Sequence, residues 1–319
     1  MRAYVIGNAV VDETFLVEAL PVEGESIHAT PRSRDVGGKG ANQAIVLARA
    51  GVDVTLIAGL GEDARAETVR AALAHEPMDV RFVTVPTAAT DMSVVMTTPD
   101  GGNAIITTNQ CAEALDAPTI LPVLAEAVPG DVMVLQGNLG AVTTTELFET
   151  AHKKGMPVVF NPSPVRAEFA QLLPRAAMVF VNKMEAQAYY LPARTHGAEP
   201  TPGNLGKTPA TTFIITTMGK DGAVFQRHKG EEEDVHLPAK PCTVVDATGA
   251  GDTYQSALLA ALFRKGRSWL SFNEQDIRAA GCVGAAAAAI SISRHGTLSA
   301  LPQHAELASF LGSQAKPAL

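Results

Sequence analysis

The 319-residue chain contains only three cysteines, one tryptophan and 5% aromatic residues. Cys111, Cys242 and Cys282 stand far apart and are odd in number, which excludes a disulfide framework, offers no CxxC metal pair and points to a reducing, cytoplasmic setting. Aromatics this sparse and scattered, Trp269 among them, make no base-stacking platform. No Lys/Arg-rich block interrupts a formal net charge of −8, so neither nucleic acid nor an anionic membrane meets an electrostatic footprint. The Ala-rich stretch at 284–290 is too short for a membrane span, and acidic residues follow the N-terminal apolar run without a signal-cleavage pattern. None of the eight histidines falls in HxxxH or HExxH spacing, which disfavours a zinc hydrolase.

What remains is an ordinary globular composition, 46% hydrophobic and 18% charged, with a length that suits one large domain and a small appendage. Short β-branched runs at 4–6, 54–57, 132–135, 158–160, 178–181 and 212–216 alternate with Ala/Leu-rich segments at 41–50, 65–75, 143–153 and 251–265. This alternation predicts an α/β fold, a doubly wound and mostly parallel sheet flanked by helices. Two stretches, 13–36 and 87–110, break the rhythm with β-rich segments and Pro/Gly/Asp turns (99–102, PDGG) but no helix. They are expected to leave the main domain (1–12, 37–86 and 111–319) as a small antiparallel β lid over a site or against another subunit. The acidic run at 229–234 (KGEEED) reads as a solvated hairpin tip.

The most informative segment is 244–259, VVDATGAGDTYQSALL. A β-branched run ends at Asp246, a small-residue turn follows, and a helix begins around Asp252. A helix start exposes unpaired N–H groups and a positive dipole end, so Gly249, Ala250 and Gly251 could place donors around an anion. Phosphoryl transfer needs such donors and a carboxylate to take the proton of the attacking hydroxyl. Asp252 beside that turn meets both needs, although an isolated Gly-x-Gly-Asp more often marks a helix cap.

The wider pattern decides between these readings. DATGAGDTY closely resembles the C-terminal signature of the ribokinase/PfkB carbohydrate kinases, and VGGKGANQA at 36–44 resembles their N-terminal one. Asn161-Pro162-Ser163-Pro164, Asn182-Lys183-Met184-Glu185 and Thr217-Met218-Gly219-Lys220-Asp221-Gly222 resemble intermediate family segments, in the family's order. The resemblance covers nearly the whole chain. It implies a ribokinase-like fold and ATP-dependent phosphorylation of a sugar's primary hydroxyl, with Asp252 as base and Gly249, Ala250 and Gly251 as anion hole. It also implies that Asp12, Gly38, Lys39, Asn42 and Asn138 contact the sugar, that Thr217, Gly219, Gly222 and Gly251 contact the nucleotide, and that Asn182 and Glu185 lie near the phosphates and Mg²⁺, the latter through water. Asp246, Thr248, Ser291, Arg294 and Gly296 match positions that in many ribokinases bind a monovalent cation, K⁺, behind the anion hole. A homodimer joined through the lid is also implied.

Other patterns fail. Gly206-Lys207-Thr208 looks like the end of a P-loop, but Thr201 stands where its leading glycine is required. GNAVVD after the first strand is no GxGxxG, against a dinucleotide-binding oxidoreductase. Two sugar-pocket positions depart from ribokinases: Val10 stands in place of an asparagine, and Asn138 in place of a glutamate. These changes open deoxyribose, a nucleoside or another sugar as alternatives, while the intact GGKGANQA keeps ribose or a ribose-like pentose as the expected acceptor. A silent sugar or nucleotide sensor, or a structural protein assembled through the hairpins, are the non-enzymatic alternatives; the intact Asp252 and its loop speak against the sensor.

Overall fold

The computed structural model describes residues 1–99, 103–189, 213–227, 234–266 and 271–312. The main sheet has nine strands in the order β13-β12-β11-β10-β9-β8-β1-β4-β5. They are β1 Arg2–Ile6, β4 Asp53–Leu60, β5 Asp79–Thr84, β8 Val132–Gln136, β9 Val158–Asn161, β10 Met178–Asn182, β11 Phe213–Thr217, β12 Ala223–Arg227 and β13 Val235–Leu237. From β5 to β11 all neighbours run parallel, while β12 and β13 close one edge antiparallel.

Strands covered on both faces need apolar residues in both phases of the pleat, and VMVLQ of β8 is buried throughout. Its alternate residues enter different cores. Ala3, Val5, Val132 and Val134 face one core with residues of α1 (Lys39–Arg49), α2 (Ala64–Leu73), α7 (Ala250–Phe263), α8 (Glu274–Ser291) and α9 (His304–Leu311). Tyr4, Ile6, Met133 and Leu135 face the other, with α5 (Ala141–Lys154) and the short α4 (Ala117–Ile120). The two remaining short helices are α3 (Gln110–Glu113) and α6 (Lys183–Ala188).

The expected strands and helices all have counterparts. The sequence reading missed β5 and took α8 only as a short apolar stretch, while the antiparallel β12 and β13 flank the run at 229–234 that was read as a hairpin tip. Its small residues pack against α7: a Cβ on Gly284 would come within 2.8 Å of the Tyr254 carbonyl oxygen. No described helix is long and apolar enough to cross a membrane. The P-loop-like 206–208, Trp269 and most of the 229–234 charge run lie outside the described residues.

A second sheet contains β2 (Val10–Leu16), β3 (Thr30–Gly37), β6 (Met92–Thr97) and β7 (Asn103–Thr107), in the order β3-β2-β6-β7. Its outer pairs are antiparallel, as expected. The central pair, β2 with β6, runs parallel, because the strands belong to different excursions from the main sheet and no tight turn joins them.

Topology fixes where a ligand would lie. After β1 the chain adds β4 and β5 on one side, then returns to place β8 on the other. The order thus reverses between β1 and β8, and ligands of such sheets bind beyond the carboxyl ends of the strands at that reversal. Asn8, Asn138, Asn161, Asn182 and Thr217 sit at or just past the carboxyl ends of β1, β8, β9, β10 and β11.

Candidate active site

All five of those residues line a cavity of about 530 Å³, closed on another side by Asp12, Ser93, Val95, Ile105 and Thr107 of the second sheet. Gly38, Lys39, Asn42, Thr248, Gly249, Ala250, Gly251, Asp252, Glu185 and Gly219 complete most of its wall. Segments far apart in sequence are thereby brought to one space.

The α7 start forms one side of this cavity. Gly249 caps it at φ 74°, in the left-handed region that glycine adopts without a Cβ clash. No side chain caps this helix, and its first i to i−4 bond runs from Thr253 N–H to the Gly249 carbonyl at 2.9 Å. Ala250 N–H turns back to Ala247 O at 3.3 Å, so the amides of Gly251 and Asp252 have no intrahelical acceptor. Asp252, 7% exposed, accepts from Gln43 Nε2 at 2.8 Å and from Asn42 Nδ2 at 3.3 Å.

The α1 start faces it. Gly38 has φ 98°, and a Cβ there would come within 2.9 Å of Asn8 O; only glycine brings this turn so close to the end of β1. Asp12 is 5% exposed, and its Oδ2 accepts from Thr297 Oγ1 at 2.7 Å. Burial pushes its carboxyl above the ordinary range, hydrogen bonds from Thr297 and Ser93 oppose that rise, and the charges of Asp35 and Asp252 add to it.

A model of the pfkB family of carbohydrate kinases matches residues 2–304. The chain belongs to that family. It is 26% identical over 307 residues to a ribokinase of Bacillus subtilis, covering 96% of this chain and 98% of that protein. It is 26% identical over 305 residues to a deoxyribokinase of Salmonella typhi, covering 95% and 96%. The solved ribokinase of Giardia lamblia superposes with a TM-score of 0.83 at 22% identity, covering 97% and 98% of the two chains.

In this pfkB kinase Asn182 and Glu185 form a capping box on α6: Glu185 N–H donates to Asn182 Oδ1 at 2.9 Å and Asn182 N–H to Glu185 Oε2 at 2.8 Å. Both still line the cavity, so capping α6 leaves them on its wall. Gly222 stays outside the wall; with φ 89° it makes the turn from β11 to β12, where a Cβ would meet Leu237 O.

The expected cation positions are brought together beside the cavity. Val245 and Asp246 N–H both donate to Ile292 O, at 2.7 and 3.2 Å, joining the loop before α7 to the 291–296 segment. Asp246 is 9% exposed and accepts from Thr248 N–H at 2.9 Å; among the described residues it has no ion pair. Asp246 and Gly296 line a second cavity of about 520 Å³, which shares Ala247 with the first. The Arg294 side chain turns away to a two-pronged pair with Glu306, 3.1 Å for one prong, which holds the Glu306 carboxyl below its ordinary range against an opposing burial effect.

Val10 is buried in the β2–β3 ladder opposite Gly37 and lines neither cavity. Asn138, 4% exposed, keeps a buried Oδ1 with no partner among the described residues. The sequence reading missed Asn8, Ser93, Val95, Ile105 and Thr107, and treated Asn161 and Ser163 only as family markers. Asn8 beside Gly7 was the one local clue, a polar residue directly after a buried strand.

Proposed function

We propose that this carbohydrate kinase transfers the γ-phosphoryl group of ATP to the primary hydroxyl of ribose or a ribose-like pentose. One observation carries the reading: a single cavity holds a buried carboxylate, Asp252, at the start of a helix whose Gly251 and Asp252 amides have no intrahelical acceptor. The hydroxyl proton passes to Asp252 as the hydroxyl oxygen bonds to the γ-phosphorus. The bond from that phosphorus to the β–γ bridging oxygen breaks, and its electron pair leaves on ADP. Amides of Gly249 and Gly251 and the positive end of α7 stabilise the charge on the moving group, whereas the Ala250 amide is turned to Ala247 O and shapes the turn. Asp12, Lys39, Asn42 and Asn138 hold the sugar, and Gly38 admits it against the backbone. Thr217 and Gly219 line the nucleotide side.

Asn182 and Glu185 would hold Mg²⁺ largely through water, and the ion when bound neutralises phosphate charge. The Asp246 carboxylate, buried without an ion pair among the described residues, suits K⁺ together with carbonyls of Thr248, Ser291, Arg294 and Gly296; bound there, the cation would stiffen the loop that carries the anion hole. The second sheet acts as a lid that excludes water and limits ATP hydrolysis. Its exposed edge strand β7, with Ile105 and Ile106 50% and 64% exposed, offers a surface for a homodimer. Three free cysteines suit a cytoplasmic enzyme.

Deoxyribose is the second reading, favoured by Asn138, which is neutral where ribokinases commonly carry a glutamate. The assay is ADP release across a sugar panel, with and without potassium. Asp252→Asn is expected to lower kcat by about a hundredfold or more with near-normal ATP binding. Full activity in that variant refutes the assignment of the base.

A further inference from the structure

Three glutamines lie behind the catalytic carboxylate, out of contact with the cavity. Gln43 on α1, Gln136 at the end of β8 and Gln255 on α7 are 0%, 0% and 1% exposed, and none lines the cavity. Buried glutamine is costly unless its amide is satisfied, and here each NH₂ group finds an acceptor inside the cluster, while Gln136 Oε1 has no partner among the described residues. Gln136 Nε2 donates to Gln43 Oε1 at 2.8 Å and Gln255 Nε2 to the same oxygen at 3.2 Å. Gln43 Nε2 then donates to Asp252 Oδ1 at 2.8 Å.

The direction of this chain is set by chemistry. A carboxylate offers only acceptors, so the Gln43 atom facing Asp252 must be its NH₂. Reversing that amide would set oxygen against oxygen at the same separation and turn Gln43 NH₂ toward two other NH₂ groups. Two converging donors on Oε1 therefore lock the orientation of Gln43, and Gln43 locks the carboxylate. The two oxygens of Asp252 differ as a result. Oδ1 is held from behind at 2.8 Å, whereas Oδ2 meets only the cavity-lining Asn42 amide at a longer 3.3 Å.

We infer that Gln43 is a positioning residue, buttressed by Gln136 and Gln255, which fixes Asp252 so that Oδ2 is the oxygen that takes the sugar proton. The inference rests on the reading of Asp252 as base. A neutral donor suits this role: it orients a carboxylate without the positive charge of a lysine or arginine, which would weaken the base. Because Gln43 lines no part of the cavity, its removal should act on turnover and spare binding.

The test is a double-mutant cycle on the full chain, measuring kcat and KM for ribose and for ATP, with melting temperature as the folding control. Gln43→Met keeps the length and removes the donor. It is expected to lower kcat roughly ten- to hundredfold, with both KM values within about threefold. In an Asp252→Asn background the same change should alter the residual kcat by less than about twofold, since coupled residues are not additive. If Gln43→Met fails to fold, Gln136→Met removes one buttress without touching Asp252 and should lower kcat about three- to tenfold in the same KM-sparing way. Additive losses in the cycle, a rise in KM that accounts for the loss, or unchanged kcat in a folded variant would each overturn the positioning role while leaving the base in place. An active Asp252→Asn would remove the base, and the positioning role with it.

Discussion

Asp12 should weaken the protein that it serves. Its carboxylate is 5% exposed, has no ion pair among the described residues, and feels the charges of Asp35 and Asp252. Burial raises its pKa, so the folded state binds its proton more tightly than the unfolded chain does. The resulting stabilisation is fully present below the unfolded pKa, about 3.9, and is lost as pH rises through the higher folded value. Asp12→Asn removes the buried charge, and its amide oxygen can still accept from Thr297 Oγ1, now at 2.7 Å from the carboxylate. Single stabilising substitutions commonly yield roughly 0.5–2 kcal/mol, and relief of this buried charge is expected in that range, at about 2 °C of melting temperature per kcal/mol at this chain length. Scanning calorimetry without ligand, from pH 4.5 to 8, should show the variant gaining on the parent protein as pH rises, then levelling off. The same variant loses a charged acceptor for sugar hydroxyls, worth about 1.5–3 kcal/mol, so its sugar KM should rise about ten- to hundredfold. A melting-temperature gap that does not vary with pH, or a variant less stable at pH 7.5, would refute this account.

Two further outcomes are expected. Asn138→Ala should raise KM for ribose and deoxyribose about tenfold with kcat within about threefold; steady-state kinetics with both sugars check it, and unchanged KM would remove Asn138 from the sugar site. Arg49 and Glu76 form an ion pair with side chains 8% and 9% exposed, in which Arg49 Nε donates at 2.9 Å, and Arg49 also donates to the Leu301 carbonyl at 3.1 Å. Glu76→Ala strands a buried guanidinium and should cost roughly 3–5 kcal/mol, visible in urea unfolding as a lower midpoint with an unchanged slope.

What the sequence displays plainly is whatever a few consecutive residues must do together. The turns at 36–44 and 246–252 need glycine for positive φ and close approach, so their function is written locally. Six of the seven strands of the parallel run, all but β5, were read because burial on both faces demands apolar runs. Gln43 lies inside one of those legible motifs, yet its role was hidden because its partners are 93 and 212 residues away. The inward residues of β6 were hidden for another reason: in MSVVMT the apolar phase, Met92, Val94 and Met96, is only half-buried, while the more polar phase supplies the buried Ser93 and Val95 that meet the cavity. Val10 illustrates the reverse error, since a residue that differs from relatives on paper lies in the ladder of the second sheet and not in the cavity wall.

The orphaned polar atoms argue for the kind of ligand. Among the described residues Asn42, Asn138 and Asn161 each line the main cavity with a buried amide oxygen that no donor meets. A buried acceptor left in that state costs about 1–3 kcal/mol, and a carboxylate or phosphate, having no proton to give, would deepen the cost. The α7 start presents the opposite demand, main-chain N–H groups that require an acceptor. One molecule rich in hydroxyl donors and one anion at the helix start answer both demands at once. A single anionic ligand filling the whole space would set its charge against Asp12 and Asp252. The distribution of donors and acceptors therefore favours a polyol and a nucleotide phosphate meeting at Asp252 over any one charged metabolite.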